Sequence, residues 1–143
     1  MKNTRLFQIG AMAAFVAVYA ASRLWKLTAS CLWFDEIFSV HAAEHSWSTI
    51  LSFVAKDLIH PPLFYLLLKV WILVGGESLV WLRLFPVVVA IAAVVPFLYL
   101  CRELKLNDWS KAVAFLLIAS NGPLIKYAQE VRMYSLLLML SLF

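Results

Sequence analysis

The feature that most limits the folds open to this chain is a set of three long apolar runs, at residues 6–22, 79–101 and 112–125. About 20 apolar residues in an α-helix cross the roughly 30 Å hydrocarbon core of a bilayer. Hydrophobic residues make up 64% of the 143 positions and charged residues 14%, against roughly 45–50% and about 25% in soluble domains. A soluble core of this size cannot bury so much apolar surface. We therefore predict an all-α polytopic membrane protein with about four transmembrane segments.

The charge pattern argues against nucleic acid as a partner. There are 12 Lys and Arg residues against 8 Asp and Glu residues, a net charge of +4. The basic residues stand in ones and twos between the apolar runs, so they form no stripe that could follow a phosphate backbone. We assign them to membrane topology and lipid headgroups. Cys31 and Cys101 show no metal-binding or redox spacing.

The orientation of the segments depends on the short apolar stretch 62–74. Its residues would cover about 20 Å as a helix, less than the roughly 30 Å core. We expect this stretch to lie in the interface or to re-enter. The run 79–101 then leads inward, the basic turn 102–111 is cytoplasmic, and residues 112–127 return outward.

Residues 23–61 then form a large first extracytoplasmic loop. Its polar and aromatic residues suit the headgroup zone, and they predict juxtamembrane helices. Ser46 or Ser48 is placed to cap one of these helices, which runs toward Lys56. The prediction is a multi-pass protein of the cytoplasmic (inner) membrane with its active site facing outside. Cleavage of the first run as a signal peptide is the alternative.

Asp35 and Glu36 form an adjacent acidic pair at the predicted membrane surface. Partial desolvation would raise a carboxylate pKa toward the range of a general base, and paired carboxylates can hold a divalent cation. The structural alternative is that Asp35 is the N-cap of a surface helix starting at Glu36.

His60 precedes Pro61 and Pro62, which predict the start of a helix. A histidine at that edge can bind an anionic group with help from the helix dipole. The alternative is an incidental histidine beside a helix-start signal.

The stretch 127–134 carries a third group of candidates at the start of the last apolar segment. Glu130 and Tyr134 are four residues apart, so they would share a helix face, with Arg132 turned away by about 200°. An arginine at a membrane boundary can bind a phosphate group bidentately. Snorkelling of Arg132 and Lys126 to lipid headgroups is the alternative.

A fourth pattern is His41-Ala42-Ala43-Glu44-His45, which matches the H-x-x-E-H motif of zinc peptidases. Two histidines four residues apart can bind one zinc ion while the glutamate activates water. Such an enzyme needs a third ligand, which this loop does not provide.

An ordered set of features then suggests a family. The acidic pair is followed by H-P-P-L-F-Y at 60–65, W-L-R-L-F-P at 81–86, a basic turn, and Y-A-Q-E-V-R-M-Y at 127–134. In this order the chain resembles the GT-C superfamily of membrane glycosyltransferases. The resemblance covers nearly the whole chain and is to the bacterial branch, similar to protein O-mannosyltransferases and aminoarabinose transferases.

The resemblance implies transfer of a sugar from a polyprenyl-phosphate donor to a lipid, glycan or protein acceptor, usually with inversion. It implies that Asp35 is the base or a metal ligand with Glu36 beside it, and that Glu130 is the second acid. Asp35 and Glu130 would hold a divalent metal ion if one takes part. His60, Arg132 and Tyr134 are the candidates for substrate binding.

Family members run to several hundred residues, and the last apolar run stops at Phe143. We therefore expect residues 1–143 to be the N-terminal part of a GT-C-type transmembrane catalytic domain. The competing functions are a membrane-associated zinc peptidase using His41, Glu44 and His45, and a non-catalytic transporter or assembly subunit whose charges serve packing.

Overall fold

The computed structural model describes residues 2–57 and 61–143, and the side chains at 10, 12–52 and 61–143. Every regular element within these ranges is an α-helix, which confirms the predicted all-α class. The helices are α1 (Lys2–Leu24), α2 (Phe34–Glu44), α3 (Trp47–Asp57), α4 (Pro62–Gly75), α5 (Leu79–Ala92), α6 (Val94–Glu103), α7 (Asp108–Ser120), α8 (Gly122–Tyr127) and α9 (Tyr134–Ser141).

Helices α5 and α6 together form one apolar helical stretch, Leu79–Glu103, of 25 residues, and an 18-residue window within it has a mean hydropathy of 2.5. At 1.5 Å per residue it is about 37 Å long, enough to cross a bilayer core. Within the described residues it is the one helix that is long and apolar enough to do so. The turn at Ala93 reflects Pro96, which has no N–H to donate to the carbonyl one turn earlier. The helix continues because Phe97 N donates to Ala93 O at 3.1 Å.

Helix α4 is as short as the sequence predicted. Pro62 occupies its first turn, where the missing N–H removes no helical bond. The helix ends at Gly76, whose φ of 81° is readily adopted only by glycine, and Gly76 N donates to Ile72 O at 2.7 Å. Trp71 of α4 stacks on Trp81 of α5 with ring centroids 4.4 Å apart. Each indole N–H also donates to the other tryptophan's carbonyl, at 2.7 and 2.8 Å, so α4 and α5 form a fixed hairpin.

The predicted continuous segment 112–127 is interrupted. α7 ends at Ser120 and α8 begins at Gly122, because Pro123 cannot donate a helical hydrogen bond. Asn121 instead accepts from Leu124 N at 3.0 Å and caps the new helix. Hydropathy alone did not detect this break.

Two apolar clusters hold the helices together. The first lies between α2, α4 and α5 and includes Phe64, Leu68, Leu82 and Phe85. The second joins α1, α6 and α7 through residues that include Tyr19, Phe97 and Phe115.

Arg23 ties the second cluster to the end of α7. Its guanidinium is buried and donates to the carbonyls of Ile118 and Ala119 at 3.2 and 3.4 Å. Its Cζ also lies 3.4 Å from the centre of the Tyr19 ring. The carbonyls at a helix C-terminus attract a cation, so Arg23 fixes α1 against α7.

Candidate functional site

A cavity of about 530 Å³ opens beside the first turns of α5. One wall comes from the loop that joins α1 to α2, and the other from residues 126–134. Its aromatic lining is Trp33, Tyr127 and Tyr134, and its polar lining is Ser30, Glu36, Arg83, Lys126, Gln129 and Glu130. Ionisable side chains therefore meet aromatic rings at the end of the apolar helix.

Glu36 is held by hydrogen bonds on both carboxylate oxygens. Its side chain is 0% exposed. Oε2 accepts from Trp33 N at 3.1 Å and lies 3.2 Å from an Arg83 nitrogen, while Oε1 accepts from Val131 N at 2.8 Å. The predicted helix start was wrong here: α2 begins at Phe34, and Glu36, not Asp35, pairs with the N-cap backbone. Glu36 therefore joins α2, α5 and the 126–134 segment.

Arg83 is the counter-charge of Glu36, and sequence reasoning assigned it no role. Its guanidinium is buried and also donates to Leu27 O at 2.8 Å, Ser30 Oγ at 3.3 Å and Cys31 O at 3.1 Å. It thereby fixes the loop that forms one wall of the cavity. The signal that could have found it is a lone cation inside an apolar run, which is costly without a partner.

Asp35 lies at the side of the cavity rather than in its lining. Its side chain is 39% exposed, and Oδ2 lies 3.7 Å from an Arg132 nitrogen. Arg132 is buried and also donates to Asp35 O at 3.3 Å. The two predicted residues are therefore brought together, as an ion pair.

Glu130 faces the cavity with a side chain that is 12% exposed. Oε1 lies 3.8 Å from Lys126 Nζ, whereas Oε2 is buried and accepts no hydrogen bond. Burial raises the pKa of this carboxyl above its usual range, and Lys126 opposes part of the rise. The negative charge of Glu36 adds to it.

The backbone around Glu130 departs from the predicted helix. Residues 128–133 form a turn and α9 begins only at Tyr134, so Glu130 and Tyr134 do not share a helix face. Glu130 and Tyr134 nonetheless line the same cavity. The turn between them is held against α2 by the hydrogen bond from Val131 N to Glu36. Gln129 adds a second anchor, donating to Arg23 O at 2.9 Å and Trp25 O at 2.8 Å. Sequence reasoning missed Gln129, since an amide in a turn gives no sign of a partner 106 positions away.

The aromatic side of the cavity is a pair of tyrosines. Tyr127 and Tyr134 contact each other with ring centroids 4.6 Å apart. Tyr134, a predicted substrate-binding residue, therefore lies in the cavity lining beside Tyr127.

The remaining predictions concern His60, a metal ion and the zinc-peptidase motif. His60 falls outside the described residues. Asp35 and Glu130 are only two carboxylates, whereas a hard divalent cation takes several oxygen ligands. The described part of the chain contains no group of three or more His, Cys, Asp or Glu residues that could hold a metal ion. The predicted metal stays a prediction, and no step below depends on it. His41, Glu44 and His45 lie at the far end of α2, outside the cavity lining.

Comparisons with protein-family models, with curated proteins and with solved structures found no match for this chain.

Proposed function

We propose that this chain is part of a multi-pass membrane glycosyltransferase of the GT-C type. It would transfer a sugar from a polyprenyl-phosphate donor to an acceptor hydroxyl at the extracytoplasmic face. The observation that carries the proposal is the cavity, which is lined by Glu130, Lys126 and the pair Tyr127 and Tyr134. Glu130 has one carboxylate oxygen near Lys126 and a second, Oε2, that accepts no hydrogen bond. The apolar C–H face of a sugar can pack against the tyrosine rings.

The position of the cavity supports a substrate that is partly lipid. Arg83, in the cavity wall, lies one turn into the apolar helix 79–103, so the cavity is close to one end of that helix. The basic turn 102–111 follows the other end. Positive loops favour the cytoplasmic side, so the cavity faces outward in this arrangement. A prenyl chain can then stay in the bilayer while its phosphate and sugar enter the cavity.

Glu130 is the better-placed base for the reaction. A hydroxyl becomes a nucleophile when a neighbouring carboxylate removes its proton, and a raised pKa makes that carboxylate more effective. The acceptor oxygen forms a bond to the anomeric carbon as the proton passes to Glu130. The bond from that carbon to the phosphate oxygen breaks, and its electron pair leaves with the lipid phosphate. The Lys126 ammonium, exposed at the rim, can stabilise the departing phosphate.

Asp35 and Glu36 take supporting roles in this scheme. Glu36 is a positioning residue, because both of its oxygens are engaged with Trp33, Arg83 and Val131. Asp35 holds Arg132 beside the cavity, and it is the alternative base implied by the family resemblance.

The test is transfer of labelled sugar from a polyprenyl-phosphate donor by the full-length protein in membranes at matched protein levels. Glu130→Gln keeps the size of the side chain but removes proton acceptance, so transfer should fall about 10²-fold or more. The matched control is Glu44→Gln, an exposed glutamate on α2, which should transfer as the wild type does.

Other outcomes identify other functions. A loss with Asp35→Asn but not with Glu130→Gln would make Asp35 the base. Normal transfer by both variants would contradict the assignment of either carboxylate as the base. No transfer by the wild type would favour a non-catalytic subunit whose charges serve packing. Chelation-sensitive proteolysis that is lost in Glu44→Gln would favour the zinc peptidase.

The pH profile provides a second test of Glu130. Transfer needs the ionised carboxylate, so it should fall on acidification at a higher pH than the value of about 4.3 typical of glutamate. Lys126 lowers the pKa of Glu130, so Lys126→Gln should move the midpoint further upward. A midpoint that does not respond to Lys126→Gln would contradict the assignment of this base.

A further inference from the structure

The H-x-x-E-H segment at the end of α2 is not used by the proposed transferase. His41 and His45 are four residues apart, and their ring centroids are 4.9 Å apart. We propose that these two imidazoles form a surface site for a divalent transition metal ion of the zinc, nickel or copper type. The site is separate from the cavity and does not depend on the transferase proposal.

The ligand chemistry fits these ions. Imidazole nitrogen suits late first-row divalent metals, whereas magnesium and calcium take oxygen ligands. His41 lies in the last turn of α2 and His45 directly follows the helix as its C-cap. Their rings lie close enough for one nitrogen of each to reach the same ion. The His41 side chain is 68% exposed, so an ion can enter directly from solvent.

Glu44 supplies the orienting partner that metal-binding histidines commonly have. Its Oε2 lies 3.3 Å from His41 Nδ1. When Nδ1 donates its hydrogen to this carboxylate, the Nε2 lone pair of His41 is free to bind a metal. The same contact fixes the orientation of the ring. In this site Glu44 acts on the ligand and is not itself a ligand.

The backbone beneath the pair is fixed by α4. Lys69 Nζ donates to His45 O at 2.6 Å and to Ala43 O at 3.3 Å. Ala42 and Ala43 are buried against the rest of the fold. The two imidazoles therefore project from an anchored helix end, which reduces the ordering that metal binding requires.

Two protein ligands leave further coordination positions to water or to a group from another molecule. This agrees with the finding that the described residues assemble no set of three metal-ligating side chains. The site therefore binds metal reversibly from solution. Among the described residues it lacks the third protein ligand of a zinc-peptidase centre.

The test is calorimetric titration of the purified full chain in detergent with Zn²⁺ alone. The exposed thiol of Cys31 and the buried thiol of Cys101 are first replaced by serine, because thiolates also bind zinc. We expect one zinc ion per chain that depends on both histidines. His41→Ala and His45→Ala should each weaken binding by about tenfold or more. Asp108→Ala, at an exposed carboxylate on α7, is the control and should bind as the parent does.

Glu44→Gln tests whether zinc binding needs the carboxylate beside His41 or only a hydrogen-bond acceptor there. It keeps a hydrogen-bond acceptor for His41 but removes the carboxylate, so binding should weaken by about tenfold, the lower end for an outer-shell partner. Zinc binding that is unchanged in the double variant His41→Ala/His45→Ala would overturn the proposal. So would a loss of binding in Asp108→Ala. Sugar transfer should be unchanged in His41→Ala, so failure of this site and failure of the transferase proposal are distinguishable.

Discussion

Asp35 and Glu36 are neighbours on the first turn of α2, yet their carboxylates lie in different surroundings. Glu36 points inward and binds Arg83 and Val131 N, whereas the Asp35 side chain is partly exposed and faces Arg132. Adjacent helix residues differ in direction by about 100°. One step along the helix therefore separates a fully buried carboxylate from one in a partly exposed ion pair.

This difference predicts how two similar substitutions affect stability. Glu36→Gln leaves the buried Arg83 guanidinium without its counter-charge, so the free energy of unfolding should fall by about 3–5 kcal/mol. Asp35→Asn, at a partly exposed pair, should change it by less than about 1 kcal/mol. Denaturant titration of both variants in detergent, followed by circular dichroism, measures the two values.

A double variant tests the pairing itself. If Glu36 and Arg83 stabilise each other, Glu36→Gln/Arg83→Gln should lose less stability than the two single variants added together. Strict additivity would contradict the ion pair, as would a Glu36→Gln variant as stable as the wild type.

The helices begin and end at residues with definite backbone chemistry. α3 follows Ser46, whose Oγ accepts from Thr49 N at 3.3 Å, so one of the two predicted caps is confirmed. Pro62 starts α4 as predicted. The break before α8 was missed, because the apolar run through residues 112–125 masked the effects of Asn121 and Pro123. Hydropathy does not record which backbone N–H groups are present.

The hairpin of α4 and α5 predicts an effect at Gly75. A Cβ at Gly75 would overlap the indole ring of Trp81, which is itself stacked on Trp71. Gly75→Ala must therefore displace the tryptophan pair, and it should lower the free energy of unfolding by about 1–3 kcal/mol. Thermal unfolding, followed by the near-ultraviolet circular dichroism of the tryptophans, measures this effect.

Gly122→Ala is the matched control, because nothing lies within 4 Å of the added Cβ. It should unfold within about 0.5 kcal/mol of the wild type, as open surface positions do. Equal stability of the two alanine variants would contradict the packing of Gly75 against Trp81.

For the whole molecule, the proposed topology predicts which residues can be reached from outside the cell. Cys31 is exposed in the wall of the cavity, and Cys101 is buried. A membrane-impermeant maleimide should therefore label the wild-type chain at Cys31 in intact cells. In a Cys31→Ser background, Asn107→Cys should not be labelled until the membrane is opened, since Asn107 lies in the basic turn 102–111.

Gln129→Cys in the same background is the positive control, because residue 129 lies in the opposite wall of the cavity from Cys31. Labelling of Asn107→Cys from outside would place the basic turn on the same side as the cavity. It would contradict both the topology and the access of an outer-face donor.

The sequence by itself determined the features that depend on neighbouring residues. The apolar helix 79–103, the shortness of α4 and the all-α class follow from hydropathy and from prolines and glycines, whose effects are local. The cavity required the tertiary structure. Glu36 and Val131 are 95 positions apart, and Arg83 joins loops that precede it by more than 50 positions. Glu36 has both carboxylate oxygens bonded, whereas Glu130 keeps one oxygen without a hydrogen bond. This difference depends on packing between segments that are distant in the sequence, so local sequence patterns do not predict it.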